Sequence, residues 1–180
     1  MNNFSITQYG TPPSKDKYSI DYVKKVFTSK EDDLVLDFTY LTGWTFKTGG
    51  RCTFITGSDC TFKTASCCTF HTLENCTFET GYSGRCMFNT GKRCIFKTGD
   101  NCIFKTGDYC TFETGVFCTF HTGGRCTFTT KSNCTFSIWD INTCTFKSYN
   151  YGISTILDRR ENEVYKLNKE FIQLRKLANG

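Results

Sequence analysis

Proline is almost missing from this chain of 180 residues. Its two copies are Pro12 and Pro13, so every residue beyond them has a backbone N–H to give to a hydrogen-bond ladder. Histidine is equally scarce, with His71 and His121 alone. Nothing approaches the roughly 18 consecutive apolar residues of a membrane-spanning helix, and the N-terminus lacks the apolar stretch of a secretory signal. No membrane contact is therefore expected, and an intracellular chain with free thiols is. Neither sign of charge dominates: 22 basic side chains stand against 17 acidic ones, net +5. That suits solubility. Arg51, Arg85, Lys92, Arg93, Lys97, Lys105 and Arg125 are scattered among acidic residues rather than clustered, so nucleic acid is a disfavoured partner. Mimicry of DNA would need strong acidity, and the balance is basic.

What the chain does have is cysteine and phenylalanine, 13 and 18 copies, at fixed spacing. Cys recurs at 52, 60, 68, 76, 86, 94, 102, 110, 118, 126, 134 and 144, in steps of eight apart from two steps of ten. The longer steps carry small insertions, Tyr82-Ser83-Gly84-Arg85 and Asp140-Ile141-Asn142-Thr143. Phe follows each of these Cys by two positions, from Phe54 to Phe146, and Thr follows most of them by four. The unit reads Cys-Thr-Phe-x-Thr-Gly-x-x. Trp44, Phe46 and Thr48 form an earlier copy, which makes thirteen units.

Period two within a unit predicts a strand with Cys, Phe and the second Thr on one face. Gly is expected to supply a positive φ or a tight bend, and two polar residues to turn the corner. One such strand cannot bury its own Phe, but stacked copies can, pairing in parallel with Phe on Phe. The predicted fold is mainly β, a parallel β-solenoid of eight-residue units. Two units (16 residues) per coil are favoured over three, because two facing sheets about 10 Å apart are filled by two Phe, two Cys and two Thr per layer. A triangular coil would have to fill a wider centre with the same side chains.

The flanks divide the chain further. Residues 1–17 read as a poorly ordered polar tail. Residues 18–43 read as an N-terminal cap. Within it, 19–27 suit a short helix with Ser19 as N-cap and Ile20, Val23 and Phe27 on one face. Leu34, Leu36, Phe38 and Tyr40 alternate as a degenerate strand, with Phe38 two periods before Phe54. The repeat occupies 44–149. Residues 150–180 form a C-terminal cap or oligomerisation segment. Leu157, Val164, Leu167, Phe171 and Leu174 suit a helix, interrupted by Arg160; the alternative is a hairpin turning at Glu161-Asn162.

The run Cys94-Ile95-Phe96-Lys97-Thr98-Gly99-Asp100-Asn101-Cys102 resembles the octapeptide-repeat β-solenoid proteins of giant viruses and large bacteriophages. The likeness covers residues 44–147, leaves both flanks unmatched, and is silent on function. It implies a viral or phage origin, and so a place in the host cytoplasm or the virion.

No constellation of residues points to catalysis. The repeat cysteines stand eight apart, not at the Cys-x2-Cys spacing of metal sites, and read as small core side chains. No cofactor or metal is expected, and no enzyme. Cys67 differs: it occupies a turn position and is the candidate exposed thiol. His71 and His121 fall on one face three coils apart, about 14 Å, too far to share a ligand.

The outward columns carry the functional expectation. On one sheet Thr45, Thr61, Thr77, Thr111, Thr127 and Thr145 suggest an ice-binding ladder. The neighbouring column Lys47, Lys63, Glu79, Lys97, Glu113, Thr129 and Lys147 would break it. On the other sheet twelve outward positions hold one charged side chain, Lys105, with Ile55, Met87 and Ile103 adding apolar area. Those three are the candidate interface of a structural or assembly protein, its partner itself or a neighbouring subunit. A monomeric module binding a host or viral protein is the other reading.

Overall fold

In a computed structural model of the chain the described residues are 4–148, 154–168 and 171–176. The repeat folds as a two-sided parallel β-solenoid. Strands alternate between two sheets, so each coil takes two units, about 16 residues. Sheet one contains Thr45–Thr48, Thr61–Thr64, Thr77–Thr80, Ile95–Lys97, Thr111–Thr114, Thr127–Thr130 and Thr145–Ser148. Sheet two contains Thr53–Thr56, Thr69–His71, Met87–Asn89, Ile103–Lys105, Thr119–Thr122 and Thr135–Ile138. Equivalent residues pair without slippage, Phe88 with Phe70 and Phe104, Phe96 with Phe78 and Phe112.

The core follows from that register. Each Phe stacks on the next of its own sheet, as Phe88 does on Phe104 at 4.8 Å between ring centroids and 3° between planes. Across the core the rings meet edge to face: Phe96 and Phe104 lie 5.2 Å apart at 76°. Both geometries suit the ring quadrupole, and the two together leave Phe54 to Phe136 fully buried. A triangular coil could not bring consecutive Phe residues into such contact. The insertions leave the pairing intact. Met87 still meets Thr69 after the first, and the second forms a 3-10 turn, Ile141–Thr143, at a corner.

The corners turn differently from the sequence expectation. Positive φ falls on the residue just before each repeat Cys from Cys52 to Cys134, including Arg51, Asp59, Cys67, Asn75, Arg93, Asn101, Tyr109 and Phe117, and on few of the glycines. Glycine serves close approach instead: a Cβ on Gly99 would lie 2.0 Å from the Tyr82 carbonyl oxygen of the previous coil. The left-handed residue sends its N–H to the next coil, as Asn101 does to the Val116 carbonyl. Asn and Asp tolerate that conformation well, and Tyr109 and Phe117 less so.

The expected N-terminal helix is not present. Tyr18–Asp21 and Val26–Ser29 are antiparallel strands at the edge of sheet one, and Ser19 lies within the first rather than capping a helix. Asp21 decides this locally: its carboxylate accepts from the N–H groups of Val23 and Lys24, closing a turn completed by Lys25 at φ 52°. Phe27 then continues the Phe column beside Phe46. The expected disordered tail is likewise structured in part. Ser5–Gln8 pairs antiparallel with Leu34–Phe38 at the edge of sheet two, and Lys15–Lys17 is a single 3-10 turn. Within Leu34–Phe38 it is Leu36, not Phe38, that meets Phe54. Both point inward, so alternation alone could not choose between them, and the longer turn after Phe38 absorbs the difference. Tyr40 is exposed outside the strand.

At the C-terminus the hairpin is adopted and the helix is not. Ser154–Asp158 continues sheet two, with Ile156 in the place of Phe beside Phe136. Glu163–Asn168 returns antiparallel to it, and Phe171–Lys176 adds a further strand. Buried Asp158 holds the turn by accepting from the N–H groups of Ile141, Arg160 and Glu161. The expected boundary at 149/150 lies outside the described residues.

Candidate interaction surface

Sheet two presents two parallel columns outward. One runs Val35, Thr53, Thr69, Met87, Ile103, Thr119, Thr135, Thr155. The other runs Asp37, Ile55, His71, Asn89, Lys105, His121, Ser137, Leu157. Met87 and Ile103 are register neighbours, 50% and 41% exposed, and Ile55 is half-buried two strands away. Around them lies a shallow depression of about 160 Å³ lined by Thr69, His71, Met87, Asn89, Ile103 and Lys105. Lys105 brings the one ammonium group into it. His71 and His121 share a column with two residues between them, so they do not converge.

Sheet one has the opposite character. Lys63 and Glu79 form an ion pair at 3.0 Å, and Lys47, Lys97, Glu113 and Lys147 continue the charged column. Its threonine column is interrupted: exposed Ile95 stands between Thr77 and Thr111. A flat ordered-water surface needs unbroken matching columns, and neither column here supplies one.

The thiols divide as their positions require. The twelve repeat cysteines line the core, and each of the well-buried ones reaches a nearby backbone carbonyl, as Cys60 Sγ reaches the Ser58 carbonyl at 3.3 Å. All are free. Cys76 and Cys94 of sheet one and Cys102 and Cys118 of sheet two are pushed up to about 11. Thiol contacts along each column act first and in both directions, and burial adds to the net rise. Cys67 is exposed at a corner, at φ 63°, with Arg51 one coil before it and Arg85 one coil after. Arg51 is held by Asp33 through Nε at 2.8 Å and by Asp32 at 3.2 Å. Among the described residues no group of three His, Cys, Asp or Glu could hold a metal. No helix among the described residues is long and apolar enough to cross a membrane.

Sequence reasoning missed the ends of the sheet-two columns, where half-exposed Val35 and Leu157 extend the apolar strip. It also missed the corner aromatics Tyr82, Tyr109 and Phe117, all exposed. Their signal was readable: each replaces a polar residue in the turn of a unit or lies in an insertion. No protein family, curated protein or solved structure matches this chain.

Proposed function

We propose that this chain is a non-enzymatic structural or assembly protein, of viral or phage origin, that presents sheet two to another copy or to a neighbouring subunit. The observation that carries this reading is the pairing of Met87 with Ile103 on a face whose twelve central outward positions hold one ammonium group. Interface cores are depleted of charge and enriched in flexible apolar side chains such as Met, and this face has that composition. The test is light scattering of the wild type and of Ile103→Glu under reducing conditions. An oligomeric wild type and a smaller Ile103→Glu species support the reading; identical masses overturn it.

The exposed corner aromatics favour a second reading, a monomeric module that engages another protein along a corner. Tyr82 and Phe117 are 95% and 58% exposed on the same corner, that from sheet one to sheet two. A monomeric wild type that loses a protein partner on Phe117→Ser supports that reading over assembly.

A further inference from the structure

The two ends of the solenoid are built differently. At the N-terminal end the sheets finish level, Tyr18–Asp21 closing sheet one and Ser5–Gln8 closing sheet two, both antiparallel to their neighbours. At the C-terminal end they do not. Thr145–Ser148 is the last strand of sheet one, and Ser154–Asp158 of the same coil stands opposite it. Sheet two then continues with Glu163–Asn168 and Phe171–Lys176, so that it holds 11 strands against 9. Two strands at this end have no counterpart among the described residues.

We infer that this ragged end joins a second copy of the chain end to end about a two-fold axis. The ladder continues in register into the overhang: Tyr165 pairs with Ile156 and Leu167 with Ser154. Among the described residues the edge of sheet one is open as well. Thr145 gives its N–H back to the Cys126 carbonyl, so by strand alternation Phe146 and Ser148 direct theirs to the far side, where no described strand pairs. An end with surplus strands on one sheet and an unpaired edge on the other is self-complementary. Strands of the two sheets run in opposite directions, because the chain reverses at every corner. A two-fold axis along the strands therefore swaps the sheets. It sets the partner's two surplus strands in the two vacant places of sheet one, and the reverse. The partner's Phe171–Lys176 then lies antiparallel beside Thr145–Ser148 and takes up its free N–H groups. The number of surplus strands equals the number of vacant places, which commits the occupant to another copy. The contact is isologous, so assembly through it closes at two.

This junction uses none of Ile55, Met87 or Ile103, so it stands or falls separately from the sheet-two face. Its test is light scattering with small-angle X-ray scattering on the full chain under reducing conditions. At about 4.8 Å per strand, one chain is about 50 Å long, and two chains sharing their overhangs are about 95 Å. The expected result is an end-to-end dimer of the longer dimension in Ile103→Glu, where the sheet-two contact is removed, and the same junction within the larger wild-type assembly. Ser148→Pro removes an edge donor without touching the bonds to Thr127–Thr130, and is expected to weaken that dimer at least about tenfold with an unchanged circular dichroism spectrum and melting temperature. A monomeric wild type overturns the inference. So does a dimer about 50 Å long, which would be side by side, or a Ser148→Pro variant that dimerises as the wild type does.

Discussion

The two sheets are alike inside and unlike outside. Ring stacking is the same in both, 4.9 Å and 4° for Phe96 on Phe112 in sheet one and 4.8 Å and 4° for Phe104 on Phe120 in sheet two. Their first outward columns are both mostly Thr, but the second columns differ: Lys and Glu dominate on sheet one, and Ile55, His71, Asn89, His121 and Ser137 surround a single Lys105 on sheet two. The repeat therefore constrains what the core needs and leaves the solvent face to vary. What distinguishes this solenoid from any other stack of the same unit lies in the outward positions, the corners and the ends.

The inner likeness can be broken most forcefully by removing one ring from each sheet. Phe96→Ala and Phe104→Ala are each expected to cost about 3–5 kcal/mol, because each deletes a ring packed on both sides and across the core. Urea unfolding of both variants checks this. A difference between them larger than about 1 kcal/mol would show that the sheets are not equivalent inside, against the additive scatter expected of like sites.

The thiol columns extend the test to both sheets at once. Cys76, Cys94, Cys102 and Cys118 are raised to about 11 in the fold, against about 8.5 for a free thiol. Between those values the unfolded chain loses thiol protons that the folded chain keeps. Stability contributed by these four thiols is thus complete below about pH 8.5 and is lost as pH rises towards about 11. Urea midpoints in reducing buffer should fall from about pH 9 to about pH 10.5, where Cys52, Cys110, Cys134 and Cys144, held lower by contact with a neighbouring thiol, are ionised folded and unfolded alike. A flat profile would show that the raised thiols are not sealed from water.

The corners are the next contrast. A Cβ at Gly99 would meet the Tyr82 carbonyl oxygen at 2.0 Å, whereas the nearest atom to one at Gly107, on the opposite corner, is the Lys92 nitrogen at 3.2 Å. Gly99→Ala is expected to cost about 1–3 kcal/mol as an overpacked site and Gly107→Ala distinctly less. Equal melting temperatures would mean that the corner backbone gives way freely.

Most of the solenoid was legible because one period governs it. Cys, Phe and Thr recur at eight, and stacking in parallel coils buries the twelve Phe residues that follow a Cys. The misreadings lie where that period stops. Ile20, Val23 and Phe27 fit a helical face as well as a strand, and only the Asp21 turn and the pairing of Phe27 with Phe46 select the strand. Leu157 to Leu174 likewise satisfied two periods, and continuity with the exposed edge of sheet two selected the hairpin. Of the two tasks expected of glycine, a positive φ falls mostly elsewhere, since a close approach to the preceding coil and a positive φ leave the same letter in a sequence. The candidate face was legible through its columns, because the two-unit coil fixes which outward residues are neighbours.

The smallest expected change in stability belongs to the sharpest comparison of the outer faces. Ile95 and Ile103 occupy the same slot of consecutive units, at 52% and 41% exposure, one on each sheet. Ile95 sits beside Lys97 and between strands bearing Glu79 and Glu113, while Ile103 sits beside Met87 on the sparsely charged face. Glu at either position removes a little exposed apolar area, and either variant should unfold within about 0.5 kcal/mol of the wild type. Association should separate them. Ile103→Glu places a carboxylate in the middle of the proposed contact, where it would be buried without a partner, and should disperse face-to-face oligomers. Ile95→Glu adds charge to a surface already charged and should leave the mass unchanged. If both variants disperse the protein equally, the contact is not confined to sheet two, and the difference between the outer faces does not select the partner.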